Sequence, residues 1–378
     1  MLRQVGPSAR APGFRSLPAR AMETHITGRS GNKLAGVDEE ARDRDRLPRT
    51  AALLAGTLAL AVAFIAAYVG ALHRPDPRDI PVGVVRGDQR AQSVLTAVRD
   101  RTDTIEPIRY DTPREADDGL TGREVYAVLT STVDGALHLI TASASAPAAT
   151  GVVTDVLTRA AQQAQTPIEV TDEVPVSTDD PRGLVPFYLA VGLVLGGYLA
   201  STVLGISLGT APRDLRRAGL RIASLAVHAV LLGAGAAVLV GPVFGIWDHD
   251  LVAVAAVGAL TVLAAAMVAA AVQGWLGLFG TGLVILLLVV LGNPGSGGIY
   301  APEFLPAALR GMHRWNVPGL ATDLLKSVVY FGWRAGRWPL AGLLLWTALG
   351  VVGLLTATGV RGRRAGRAEV HPAGVDPP

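Results

Sequence analysis

Within the long apolar runs of this 378-residue chain, one side chain can exchange a proton near neutral pH, and it is His228. A coupling ion or proton needs such a group to bind inside a membrane, which makes His228 a candidate intramembrane polar site. The alternative is a neutral imidazole hydrogen-bonded to a neighbouring helix. No Asp, Glu, Lys or Arg lies in the core of any run, which argues against a proton antiporter and against a channel built on charged rings. Outside the runs, His138 lies near Ser131 and Ser143 in the sequence, but a lone His in an alternating strand is commonly structural, and no G-x-S-x-G elbow surrounds either serine. The chain has no cysteine, hence no disulfide, thiolate metal site or cysteine nucleophile. No His-Glu cluster or paired intramembrane aspartate stands in for one, so no enzyme and no metal or bound cofactor is expected. No G-x-x-x-x-G-K-[ST] occurs either; the nearest string, from Gly28 to Lys33, fails the spacing. Any ATPase acting with this chain is therefore a separate polypeptide.

Half the residues are hydrophobic, 17% are charged and mean hydropathy is +0.38, the balance of an integral membrane protein with no nucleic acid among its partners. Apolar runs at 51–72, 184–209, 222–246, 251–272, 275–292 and 339–360 predict six α-helical spans. The first is read as a signal anchor, behind a polar, Arg-rich segment (1–50) expected to lack stable structure, in which either Met1 or Met22 is the true start. Arg42, Arg44, Arg46 and Arg49 precede it. Arg213, Arg216, Arg217 and Arg221 fill the loop after the second run, and Arg361, Arg363, Arg364 and Arg367 fill the tail (361–378). These charges place both termini in the cytoplasm. The connection at Gln273 and Gly274 forces the fourth and fifth spans into a tight pair. Pairs such as Gly192 with Gly196, Gly205 with Gly209 and Gly233 with Ala237 offer close helix approach.

Residues 73–183 form a soluble insert on the outer side. Strands are predicted at 80–85, 104–110, 124–130, 136–142 and 168–174, with helices at 89–101 and 150–165, giving a small mixed α/β domain. Between Leu291 and Trp338 the chain is neither a hairpin nor a span. A Gly/Pro turn precedes a helical stripe over 303–315 carrying Phe304, Leu305, Leu309 and Met312. A second amphipathic piece follows, with Leu320, Leu324, Leu325 and Val328 on one face and Asp323, Lys326 and Ser327 on the other. Trp315, Trp333 and Trp338 supply rings suited to the membrane boundary. These pieces (303–333) are expected to be short helices dipping into or lying on the outer face.

One span, an external α/β insert and five further spans resemble the type-2 ABC exporter permeases, in the phage-infection-protein-like branch. The resemblance covers about residues 45–360. It rests on the strand at 80–85 followed by Gly87 and Asp88, and on the segment 294–333 with its Gly-rich turn, Pro-flanked helix around Phe304 to Leu309 and second proline, Pro318. It implies a homodimer of six-span subunits, powered by ATP hydrolysis in a cytoplasmic ABC ATPase that docks at Arg213, Asp214, Arg216 and Arg217. It also implies that Phe304, Leu305, Leu309, Trp315, Leu324 and Leu325 belong to outer re-entrant helices, and that the cargo is amphipathic, lipid-like or drug-like. A reading from another class is a non-transporting anchor whose outer domain binds a cell-envelope or secretion partner.

Overall fold

The computed structural model describes residues 31–370, with side chains described between 48 and 361 except at 49 and 278. Two units divide the chain, 1–55 and 56–378. In the first, residues 31–50 are helical where a segment without stable structure was expected, and they run on through 51–55 of the expected first span in helix α1 (Gly31–Leu72). Residues 1–30 and 371–378, covered by the expected N-terminal and C-terminal tails, lie outside the described residues. Everything below concerns the second unit.

The protein is a polytopic α-helical membrane protein with an extracytoplasmic mixed α/β domain between the first and later spans. The domain runs β1 (Ile80–Val85), α2 (Gln89–Arg99), β2 (Ile105–Tyr110), α3 (Pro113–Thr121), β3 (Ala127–Ser131), β4 (Leu137–Thr141), α4 (Pro147–Gln163) and β5 (Ile168–Asp172). Its five-stranded sheet has the order β2-β1-β3-β4-β5, parallel except for the β3–β4 hairpin. That hairpin turns at Gly135, whose φ of 87° favours glycine. The run IPVGVV of β1 is apolar almost throughout because the central strand is covered on both faces. Helices α2 and α4 cover one face over Val82, Leu95, Leu129, Leu139 and Leu157. Helix α3 covers the other over Leu120 and Val128. Each fully buried Leu or Val contributes about 1.5–3 kcal/mol. Helix α3 was missed in the sequence because its PREADDGLT string is short and largely polar; Thr112 caps it at the Glu115 amide.

Five helices are long and apolar enough to span: Thr50–Leu72 within α1, α5 (Val185–Leu208), α6 (Leu215–Val238, running on to 243 through a π turn), α7 (Leu251–Leu276) and the apolar part of α11 (Arg337–Val370). The run expected as a span at 275–292 is shorter. It comprises α8 (Leu278–Ile285) and a π-helical turn, Leu286–Leu291. Helix α7 also continues past Gln273 and Gly274, and the chain reverses at Gly277, where φ is 64°. Close approach to the preceding helix comes from Gly280, which lies against the Val272 and Gln273 backbone.

Helix α7 is the centre of the bundle, packed by α5, α6 and α11. Its small residues Ala264, Ala265, Ala269 and Ala270 are fully buried. Of the expected glycine contacts, Gly233 does face α7: an added Cβ would lie 2.5 Å from the Ala255 oxygen and the Ala259 nitrogen. Gly192 faces open space, and Gly196 meets only the Leu232 side chain. Two glycines not singled out in the sequence pack as tightly as Gly233: Gly197 of α5 against the Val262 oxygen and Gly350 of α11 against the Met267 backbone. Dispersion across such contacts, rather than hydrophobic transfer, holds helices together in lipid.

A side chain at Gly350 therefore has to displace backbone. Gly350→Val should lower the midpoint of thermal unfolding in detergent by an amount matching an overpacking cost of about 1–3 kcal/mol. Gly192→Ala should leave it unchanged. Equal midpoints for the two variants would contradict this packing.

Candidate functional site

The stretch between Leu291 and Trp338 does not lie free on the membrane. The helix expected over 303–315 is broken at Pro306 into a 3-10 turn (Pro302–Phe304) and a short helix α9 (Ala307–Met312), since proline lacks the amide a continuous helix needs. Helix α10 (Val317–Val329) follows, capped by Asn316 at the Gly319 amide. All of its residues but Asp323 are buried. One side packs on α5, α7 and α11. Its polar side, with Asp323, Lys326 and Ser327, is covered by the α/β domain.

Two apolar plugs fix this cover. Phe304, Ala301 and Tyr300 complete the core under α2 and α4, and Phe331 completes the core under α3. Between the plugs sits a buried ionic cluster drawn from three parts of the chain. Arg123 of the domain pairs with Asp323 of α10, Nη2 to Oδ1 at 2.7 Å, and its Nη1 donates to the Asp323 carbonyl at 3.0 Å. The guanidinium also lies over the Phe331 ring, 5.6 Å from its centre. Arg123 follows α3 in a left-handed turn, φ 60°, a strained conformation for a residue with a side chain, which these contacts sustain. From the other side, His313 Nε2 lies 3.0 Å from Asp323 Oδ2. Lys326, 3% exposed, donates from Nζ to the Ser145 carbonyl at 2.8 Å. Outlying bonds join the same partners: Tyr126 Oη to Glu303, Arg334 to Thr121 Oγ1, and the Arg78 amide to the Glu303 carbonyl.

The hydrogen bonds fix the charge of His313. Nδ1 faces the Ser296 carbonyl at 2.7 Å and Nε2 faces a carboxylate, and neither partner has a proton to give. Both ring nitrogens therefore donate, and the ring is an imidazolium. Burial opposes that charge, but Asp323 and the Ser296 carbonyl outweigh it and raise the His313 pKa. Burial likewise works against the Asp323 carboxylate, yet Arg123, His313 and Lys326 hold it far below its usual range. For Lys326, burial and then Arg123 prevail over the nearby carboxylates and bring the ammonium down to about 8. Asp180, which caps the start of α5 at the Leu184 and Val185 amides, is among those carboxylates. The arrangement is a charge-locked joint that ties the outer domain to α9 and α10.

The residues singled out for the outer segment fall on both sides of this joint. Phe304 is buried in the domain core, Leu305 is buried, Leu324 and Leu325 are fully buried in the bundle, and Leu309 is half-buried. Trp315 is exposed, edge-on to Trp338 at 5.1 Å, with its carbonyl accepting from Trp346. At the opposite end of the bundle, Asp214 caps α6 at the Arg217 amide and lies 3.5 Å from the Arg217 guanidinium, while Arg213 and Arg216 are exposed. Arg221, read as part of that loop, is instead buried, and its guanidinium takes the Leu204, Gly209 and Thr210 carbonyls at the end of α5. Near it, Gln273 joins Ser201, Thr202 and Thr281.

His228 does not bond a neighbouring helix: its Nε2 is buried with no partner among the described residues. His138 bonds Thr171, Ser131 bonds Asp88 and Ser143 bonds Asp172, so these groups do not converge. The G-x-S-x-G string from Gly205 to Gly209 falls at the end of α5 rather than on a strand-to-helix elbow. Sequence reading missed Arg123, His313, Asp323 and Lys326 as a group. The available signal was two charged residues three apart (Asp323 and Lys326) in an otherwise apolar helix.

Two outcomes follow from the joint. Asp323→Ala leaves the buried Lys326 and the largely covered Arg123 and His313 without their central anion and should cost about 3–5 kcal/mol of stability, read by thermal unfolding in detergent. The pH dependence has a definite sign. Asp323, with its pKa depressed, stabilises above about pH 4. His313, with its pKa raised, contributes fully below about pH 6.5, and that contribution is lost as pH rises through its folded value. Lys326, brought down to about 8, acts with the opposite sign as pH approaches that value. Unfolding midpoints should therefore fall as pH is raised from about 6 toward 7, and His313→Gln should flatten that fall. An unchanged slope in His313→Gln would remove the imidazolium from the account.

Comparison with family models gives no match, and neither curated proteins nor solved structures match the chain. The geometry of the joint and of the bundle must carry the functional argument alone.

Proposed function

We propose that the chain is the permease subunit of a type-2 ABC exporter, moving an amphipathic, lipid-like or drug-like substrate with ATP hydrolysed by a separate cytoplasmic ATPase. The observation that carries the reading is α10, buried between the membrane bundle and the outer domain and ion-paired to the latter. A helix held on both sides transmits displacement from one to the other, as an alternating-access machine requires.

Six crossings are part of this reading. Thr281 bonds Gln273, at the end of the bundle where Arg361 meets the Trp275 carbonyl. Gly298 packs on Phe187, at the domain end of α5. The chain from α8 through its π turn thus covers the height of the bundle, although α8 is short. On this count the Arg213–Arg217 loop and the end of α11 share the face opposite the domain, and their Arg content makes that face cytoplasmic. Both termini then lie on it. The exposed Arg213 and Arg216 beside the Asp214-capped start of α6 supply the dock for the ATPase. The first span supports a second subunit, since none of its apolar window is buried within the chain.

The test is affinity purification of the tagged protein from its native membrane in mild detergent, with mass spectrometry of what accompanies it. The expected result is a stoichiometric P-loop ATPase, lost on combined Arg213→Glu, Arg216→Glu and Arg217→Glu replacement. Recovery of envelope or secretion proteins through residues 73–183, with no ATPase, would replace the permease by the anchor.

A further inference from the structure

Where α1 ends and the outer segment passes beneath the α/β domain, a cavity of about 370 Å³ opens, lined among others by Gly70, Ala71, Arg74, Arg78 and Arg310, with Leu305 on its apolar wall. Its charged lining is Arg74, Arg78 and Arg310 against Asp76 and Asp79, one positive charge in excess. Two of the arginines are already engaged. Arg78 pairs with Asp76 at 2.7 Å, and Arg310 donates to the Pro302 and Glu303 carbonyls while lying 3.8 Å from Asp79. Arg74 is exposed and has no acceptor within reach among the described residues.

The place of this cavity selects the ligand. Arg74 follows the apolar span, which ends at Leu72, by two residues, and so stands at the depth of lipid headgroups. On the membrane side of the cavity, α1 presents Ile65 and Val69 outward, 60% and 54% exposed, against no other helix among the described residues. An occupant thus meets an excess arginine at its polar end and an uncovered apolar helix along its tail. A phosphodiester carries one negative charge and accepts forked hydrogen bonds from a guanidinium.

We propose that this cavity binds the headgroup phosphate of a glycerophospholipid of the outer leaflet, with Arg74 as its charged donor and the acyl chains lying along α1. The site does not depend on the transport reading, since an anchor would hold the lipid equally. It gives the first span, otherwise unsupported by the bundle, a lipid bridge to the segment carrying Phe304 and Arg310.

The experiment places the full chain in nanodiscs of equal parts phosphatidylethanolamine and phosphatidylglycerol doped with diacylglycerol, and reads retained lipid by native mass spectrometry. Arg314→Ala is the control, being an exposed arginine near the same boundary but outside the cavity. Phospholipid should stay bound to the wild-type chain and to Arg314→Ala, while Arg74→Ala should retain it about tenfold more weakly, the loss expected of one charged hydrogen bond. Diacylglycerol, which lacks the phosphate, should not be held. Undiminished retention in Arg74→Ala, equal loss in Arg314→Ala, or equal retention of diacylglycerol would each overturn the site. Displacement of the lipid by inorganic phosphate alone would assign the cavity to a free anion and overturn it as well. Because Arg74 is exposed and holds no hydrogen bond or ion pair among the described residues, its replacement should leave the fold intact, and an unchanged unfolding midpoint verifies that.

Discussion

The structure outside the bilayer depends on keeping Asp323 ionised while burying most of it. An isolated carboxylate at such a position would cost several kcal/mol, so its partners must arrive together. They come from separate stretches: Arg123 from the turn after α3, His313 from the end of α9, and Lys326 from the next turn of α10. The Ser296 carbonyl, held near the Gly/Pro turn, completes the set by keeping His313 doubly protonated. The contacts between the domain and α10 are not local in the sequence; Arg123 and Asp323 are 200 residues apart. The pairing thus enforces that the inserted domain, the outer segment and α10 assemble as one body. Separation would leave Arg123 without its carboxylate and Asp323 without its nearest cation, so partial opening gains nothing.

The bundle below follows a different rule. Lipid removes the hydrophobic drive between helices, so α7 recruits its neighbours through glycine and alanine contacts. Polar groups survive only where backbone or side-chain partners saturate them. Arg221 closes the free carbonyls at the end of α5, and Gln273 has three hydroxyl neighbours. Among the spanning helices His228 Nε2 is the exception, buried and unpartnered among the described residues. A polar atom kept dry without a bond is a cost that packing elsewhere offsets. Its position in α6, away from the charged joint, separates it from the interface that α10 controls.

How much of this was legible follows from range. Hydropathy is a property of continuous runs, so the long spans could be read directly, and the buried strand Ile80–Val85 stood out as an unbroken apolar run. The fifth run looked like another span because composition does not register a reversal at Gly277 or a π turn at Leu286–Leu291. Pro306 was visible as a break in the 303–315 helix, but the apolar spacing across it read as continuous. The candidate site was hidden for a stronger reason. An amphipathic helix declares a polar face, and periodicity assigns that face to water by default. Only the placement of a distant domain over Asp323, Lys326 and Ser327 turns a solvated face into a buried joint.

The joint divides its work between apolar and ionic contacts. Phe304 and Tyr300 on one face of the sheet, and Phe331 on the other, provide non-directional burial that would tolerate a shift along α10. Charges do not tolerate it. Arg123 engages the Asp323 carboxylate and carbonyl together while stacking on Phe331, and a slip by one residue would break all three. An apolar cluster in place of the charges would bury as much area without fixing register, and replacements of that kind can even raise stability. The aromatic plugs therefore supply the affinity of domain for bundle. The Asp323 cluster makes that affinity depend on one alignment and, through the proton on His313, on the acidity of the outer face.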